Sequence, residues 1–447
     1  MLSGKWCRGT AFILLMVFAG FSAWAAGQAQ TTAADTIELE LWHAGAAAQV
    51  EVMQAAVEEY NSIQDEVTIV YRERPSSVQA IATALAGREG PDIMYYWQNV
   101  PWEFGEDSYY PLNEFVLDPE IGLDPNNFVA AARRVVHYKG VIRAIPVDMD
   151  MGGIRVNLTM LEAAGLDPGN PPKDWYELTE WAERLTIRDD AGEVVQWGIQ
   201  GEVVDWLLQE VMLNNGGDWV NDDLTEYAVP EESLVEALEW VHYWVNEINV
   251  MPVPRGVTWI GAPDAGGNPF AEGRAAMSIG SHSWAGTVNL NPDLDGQLGV
   301  IPIPPGPSQV GPAKVSVGFH GFHIMEPAQH PREAYLFAKW FVENYGERMA
   351  FTFRRLPAMS GADISRYEED FRINQMLPRL EHPVRNFHVF PGRFDVRSEE
   401  PGMVERVLLG AATPEQAVRE FKEHAAGVFR QMEPEFRELR EETEFVW

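Results

Sequence analysis

Three short stretches of this sequence set an indole beside polar side chains: Trp42-His43, Trp97-Gln98 and His282-Ser283-Trp284. An indole offers a flat apolar face, and its neighbours here offer hydrogen-bond donors and acceptors. The pairing suits a polyhydroxyl ligand. Its C–H faces stack on rings while Asp, Glu, Asn, Gln or His hold its hydroxyls. The chain has 16 Trp, of which Trp6 and Trp24 belong to an N-terminal leader. Trp181, Trp240 and Trp340 fall within helical patterns and are expected to pack. Trp284 follows a short apolar strand and the polar run Ser281-His282-Ser283, so a cleft-facing position is expected. For Trp42 and Trp97, packing and ligand stacking both stay open. His320, between Phe319 and Gly321, reads as structural or hinge-related.

Enzyme signatures are missing. The sequence has no H-E-x-x-H, no G-x-S-x-G and no phosphate-binding G-x-x-x-x-G-K-[ST]. Asp148-Met149-Asp150-Met151-Gly152-Gly153 begins like a calcium loop but has glycine at the fifth position and no glutamate at the twelfth. The 10 histidines show no metal-ligand spacing, so neither a metal nor a cofactor is expected. A paired-carboxylate glycosidase carries no short motif, so Asp148 or Asp150 as acid or base stays open.

The elements that would position these residues come next. Ile37–Leu41 alternates with period two and reads as a strand. Val50, Met53, Val57 and Tyr60 recur at helical spacing, Val67–Tyr71 is a second strand, and Val78, Ile81 and Leu85 mark a second helix. Gly87 is expected to end that helix in the left-handed conformation. Asp92–Tyr96 is a third strand. Strands alternating with helices imply a parallel sheet, and ligands of such sheets bind beyond the strands' carboxyl ends. Those ends carry Trp42-His43 and Tyr96-Trp97-Gln98. Further on, helices are expected over Trp175–Leu185, Glu231–Ile248 and Arg332–Tyr345, with a strand over Ala275–Gly280. Residues 251–273 and 301–312 read as Pro/Gly-rich connections. Thr413, Pro414 and Gln416 give a capping box at the start of the last clear helix.

The N-terminus reads as a secretory signal peptide over residues 1–26. Lys5 and Arg8 precede the apolar run Ala11–Phe18, and Ala23-Trp24-Ala25 gives a cleavage pattern. Residues 27–35 form a small, polar tether. The one cysteine, Cys7, lies before the apolar run, so a lipoprotein is not expected. The mature chain then has no disulfide and no cysteine nucleophile. About 420 residues remain, enough for two ordinary domains. The formal charge of −34 becomes −36 once Lys5 and Arg8 are lost, a sign that repels nucleic acid and anionic lipid.

The chain also resembles the extracellular solute-binding proteins of carbohydrate ABC importers, the family that contains maltose-binding protein. The resemblance runs over nearly the whole mature chain. It rests on Leu41-Trp42-His43, Glu59-Tyr60-Asn61, Gly90-Pro91-Asp92-Ile93, Tyr110-Pro111-Leu112-Asn113 and Ala144-Ile145-Pro146-Val147-Asp148. Asn157 with Leu161–Leu166, Pro172–Trp175, Asn215-Gly216-Gly217 and Glu272–Met277 extend it, with Trp284 a few residues on. It implies an α/β fold of the periplasmic-binding-protein type II kind, with two discontinuous lobes around a hinged cleft. The expected lobes are residues 36–146 plus about 318–358, and about 147–317 plus 359–447, with the first crossing near Pro146–Asp150. It places Trp42, His43, Trp97 and Gln98 on one wall, Trp284 on the other and Asp148 at the floor. Asp150 and His282 complete the candidate set. The implied function is periplasmic capture of a sugar by a monomer that serves ABC permease subunits, with no catalysis and no nucleic acid partner. Alternatives are an exported carbohydrate-active enzyme, or the same fold binding a polyamine or a glycerol phosphodiester. For the phosphodiester Arg354-Arg355 would supply the cations.

Overall fold

The period-two stretch at the start forms strand β1 (Ile37–His43), and the helical stripe after it is buried on the helix Ala47–Ile63 through Val52, Met53, Ala56, Val57 and Tyr60. This computed structural model describes residues 36–441 except 44, 46, 74–77, 98–103, 139, 202–203, 222–230, 254–267, 284, 311–312, 366, 368–373, 378, 380–383 and 387–391. Strand β2 (Val67–Glu73) lies parallel to one edge of β1 and β3 (Ile93–Trp97) parallel to the other. The helix Val78–Ala86 connects them. Its left-handed residue is Arg88, with φ 54°, and not Gly87. Gly87 N–H still bonds to Thr83 O, so the helical turn runs one residue further than expected. Arg88 N–H then reaches Leu85 O and Glu89 N–H reaches Ala84 O, the paired closure of a helix end.

Strands β4 (His137–Tyr138) and β5 (Val141–Ile142) form a small hairpin before β6 (Ile145–Asn157). A second hairpin joins β7 (Ile187–Arg188) to β8 (Val194–Gln196). The remaining strands are β9 (Gln200–Gly201), β10 (Met277–Ser281), β11 (Leu298–Ile301), β12 (Val315–Ile324), β13 (Leu356–Pro357) and β14 (Val384–Asn386). Ten strands make one sheet in the order β2-β1-β3-β12-β6-β10-β9. In addition β11 and β13 pair with β6, and β14 with β12.

Strand β6 organises the molecule. It has 13 residues, all buried, and spans about 40 Å at the usual strand rise. Its first half pairs with β12 and β13, its second half with β10 and β11. Its apolar residues change phase midway. Ile145, Val147, Met149 and Met151 enter a core shared with β1, β3, β12 and the helix Pro331–Thr352. Ile154 and Val156 enter a second core with the helices Trp175–Leu185, Val204–Leu213, Glu231–His242 and Pro414–Gln431. Since side chains alternate across a strand, this change puts the two cores on opposite faces of β6. The switch falls at Gly152-Gly153. The register of β12 against β6 also shifts once, between His320 and Gly321. A Cβ at Gly321 would overlap the carbonyl of Ile145, so glycine is needed there.

The helices follow their local signals. Asp174 caps Trp175–Leu185 by accepting from Glu177 N–H. Glu231–His242 continues as a π-helical turn over Tyr243–Glu247, within the expected span. Thr413 and Gln416 form both bonds of the capping box. A further helix, Glu433–Glu441, follows the one expected to be last. No helix among the described residues is long and apolar enough to cross a membrane.

Candidate functional site

Asp148 and Asp150 stand two residues apart on β6 and share one face of it. Both are buried. Beside them on β12, His320 pairs with Asp148 and Gly318 with Asp150. On the other side of β12, His320 faces Trp97 of β3, the two rings 4.5 Å apart and inclined by 60°. The register of three strands thus sets Trp97, His320 and Asp148 in one row across the sheet.

The carboxylates are enclosed by donors. Tyr95 Oη donates to Asp148 Oδ2 at 2.7 Å. Arg355 Nη1 donates to Asp148 Oδ1 at 3.1 Å and to His320 Nδ1 at 2.6 Å. Ser281 Oγ donates to Asp150 at 2.7 Å, and His282 Nδ1 lies 2.8 Å from the same oxygen. Met151 N–H adds a further bond at 2.9 Å. Burial alone would raise Asp148, but Arg355, helped by the Tyr95 hydroxyl, outweighs it and holds the carboxyl below its usual range. Burial acts upward on Asp150 too, and His282, Arg355 and Ser281 overcome it. His320 is pushed down by burial and by Arg355, against the pull of both aspartates. Its ring is neutral at pH 7, so Nδ1 can accept from Arg355.

His43 belongs to the same neighbourhood. Its ring meets Tyr95 edge-on at 5.1 Å, and its Nδ1 lies 3.3 Å from Tyr71 Oη. Burial, reinforced by His320, lowers its pKa to about 4. Among the described residues, Nε2 of His43 and Nε2 of His282 have no hydrogen-bond partner.

Trp42 lies apart from this group. Alternation along β1 turns it to the face opposite His43, where it packs with Ile81, Met94, Tyr109 and Met325. Its indole N–H donates to Glu40. Gln98 and Trp284 lie outside the described residues. Of the eight residues singled out from the sequence, the fold therefore gathers His43, Trp97, Asp148, Asp150 and His282.

Several partners were not foreseen in these roles. The sequence points to Arg355 only as a phosphate ligand and to His320 as structural or hinge-related. Glu210 had not been considered. It sits on the helix Val204–Leu213, hydrogen-bonded to Ser316 of β12 and pressed on Gly152 so closely that a Cβ there would overlap its carboxylate. Burial raises its pKa to about 7, against the pull of Ser316 and Arg379, and Asp150 adds to the rise. The one signal for Glu210 was a polar pair, Gln209-Glu210, inside the apolar run Leu207–Leu213.

One long strand thus carries two apolar cores on its opposite faces and a buried polar run between its ends. The model of the bacterial extracellular solute-binding protein family matches residues 45–346, about two thirds of the chain. The chain belongs to this family. A maltotriose-binding protein of Pyrococcus abyssi is 25% identical over 317 residues, 68% of this chain and 62% of that protein. The sn-glycerol-3-phosphate-binding periplasmic protein of Agrobacterium fabrum is 23% identical over 39% of this chain and 40% of its own length. The chain thus spans less than two thirds of each of these relatives. A substrate-binding protein of Listeria monocytogenes solved with cycloalternan superposes with a TM-score of 0.72 at 19% identity, over 89% of this chain and 99% of that one. An ABC transporter solute-binding protein of Thermotoga lettingae bound with α-D-tagatose gives 0.71 at 20% identity, over 88% and 100%. Both solved structures share the fold of this solute-binding protein.

Proposed function

We propose that this solute-binding protein captures a carbohydrate and presents it to the permease subunits of an ABC importer without changing it chemically. The observation that carries the proposal is the polar face of β6, where Asp148 and Asp150 lie beside His320, which in turn pairs with Trp97, on a strand shared by two cores. A ring beside hydrogen-bonding groups is what a saccharide requires. The ligands named for its relatives, maltotriose, cycloalternan and α-D-tagatose, support the same reading. The site would comprise His43, Trp97, Asp148, Asp150 and His282, with Trp42, Gln98 and Trp284 from the sequence. Two lobes, 36–146 plus about 318–358 and about 147–317 plus 359–447, would close on the ligand about the crossing strands.

Binding is favoured over hydrolysis with Asp148 or Asp150 as the acid, because a general acid must carry its proton at working pH. Asp148 and Asp150 are both held below their usual range. Export would use residues 1–26 as a cleaved leader. The mature protein would be a periplasmic monomer without a lipid, which mass spectrometry of the secreted protein can check.

The direct test is thermal stability and calorimetry with mono- and oligosaccharides. A ligand at 100 times its Kd should add about 2.7 kcal/mol of stability. No stabilisation by any saccharide, or the appearance of new reducing ends, would contradict the proposal.

A further inference from the structure

Arg355 is the cation in this neighbourhood with the best claim on an anionic ligand, and its guanidinium is already engaged. Nη1 donates to Asp148 and His320, Nε lies 3.8 Å from Asp150 Oδ2 without a hydrogen bond, and Cζ sits 4.4 Å over the ring of Phe353. Its backbone is fixed as well. Tyr367 Oη donates to its carbonyl, and the next two residues, Leu356 and Pro357, pair with Met149 and Asp148. The preceding residue, Arg354, is held at φ 55° although it is not glycine. Such a conformation persists only where the surroundings require it.

Resting on the carbohydrate reading above, we propose that Arg355 is the internal counter-ion of Asp148 and Asp150, a specificity-determining residue whose charge is spent before any ligand arrives. The site therefore accepts uncharged saccharides and rejects phosphorylated or carboxylated ones. Two carboxylates face one guanidinium here, with the His282 ring 2.8 Å from Asp150 as a further neighbour. His320 and His43 contribute no charge at pH 7, being neutral through burial. An ionised carboxylate has about four lone-pair positions and donates nothing. Hydroxyl groups can donate to the positions left over. A phosphate or carboxylate ligand would set acceptor against acceptor in a buried, poorly screened place, where like charges repel strongly.

The test titrates the full chain with five probes at pH 7.5: maltotriose, mannotriose, a glucosamine trimer, a galacturonate trimer and sn-glycerol 3-phosphate. The wild type should bind a neutral trimer at least about 100-fold more tightly than either anion. Arg355→Gln should shift preference toward the amine-bearing trimer by about tenfold or more, and Arg355→Lys should restore the original ratio. Equal or tighter binding of an anion by the wild type, or an unchanged preference in Arg355→Gln, overturns the assignment. A ligand-free arm needs no sugar. Arg355→Gln should lower Tm, and adding Asp148→Asn should recover most of that loss, because it removes an unpaired charge. No recovery overturns the counter-ion role. Binding of none of the four saccharides sinks the carbohydrate reading instead, and the ligand-free arm then decides Arg355 alone.

Discussion

Arg355 Nη1 lies 3.1 Å from Asp148 Oδ1, across 207 residues of sequence, and holds β13 against the crossing strand at the place where β12 shifts register. The bond ties three segments into one polar layer. Breaking a buried ion pair from one side leaves a charge without its partner, which is costlier than replacing both partners. The layer therefore links stability to protonation.

Acid should unfold the protein partly through Asp150. Its folded pKa lies below the unfolded value of about 3.9. The stability this contributes is present above pH 4 and is lost as pH falls through the folded value. Asp150→Asn should lose about 1–3 kcal/mol at pH 7, the cost of leaving Ser281 and His282 poorly paired. It should also decline less than the wild type between pH 4 and about 2. Urea denaturation at several pH values checks this, and parallel declines would count against it.

Gly152 makes room for Glu210, and the two should be energetically coupled. A Cβ at Gly152 would overlap that carboxylate. Gly152→Ala should cost about 1–3 kcal/mol, as overpacking does. In a Glu210→Ala background the same substitution should cost less than about half as much. Additive losses in the double-mutant cycle would show that the glycine serves the backbone of β6 and not the side chain above it.

Glu210 should have the opposite pH signature from Asp150. Its folded pKa is raised from 4.5 to about 7, so between these values the folded state holds a proton that the unfolded state has lost. Stability therefore falls as pH rises from about 4.5 to 7, by up to about 3 kcal/mol in all. Glu210→Gln should remove this slope and be more stable than the wild type at pH 8, provided Ser316 keeps its bond. A pH series of chemical denaturation reads both.

Much of the fold was legible because local periodicity dictates it. β1, β2 and β3 and the helix Trp175–Leu185 appear where alternation and helical spacing put them. Of β6, the sequence marks only Pro146–Asp150 as a strand. Its full length was hidden because Asp148, Asp150 and Arg155 interrupt the apolar run, and the phase change at Gly152-Gly153 is visible only when each half is matched to its own core. Arg355 could not be paired with Asp148 from sequence. No local signal links residues 207 apart, and only the docking of β13 on β6 does. For Trp42 the missing information was the direction of a side chain. Strand alternation separates it from His43, yet both neighbours of the dipeptide looked equally buried in the sequence.

Trp97 gives the sharpest test of ligand stacking. The residues before it on β3, Ile93, Met94 and Tyr95, are buried, so the strand end is well anchored. Trp97 itself is only half-buried, with one side against His320. Truncating it should therefore hollow out little of the core. If its ring stacks on a saccharide, Trp97→Ala should lose about 2–4 kcal/mol of binding, in the range of interface hot spots. That is roughly 30- to 1,000-fold in Kd. The control is Trp181→Ala, a buried helical tryptophan in the second core. It should cost about 3–5 kcal/mol of stability and leave affinity per folded molecule unchanged. Unfolding of each ligand-free variant is measured first, then its affinity for the tightest saccharide. If Trp97→Ala behaves as the control does, Trp97 packs against His320 and holds no ligand.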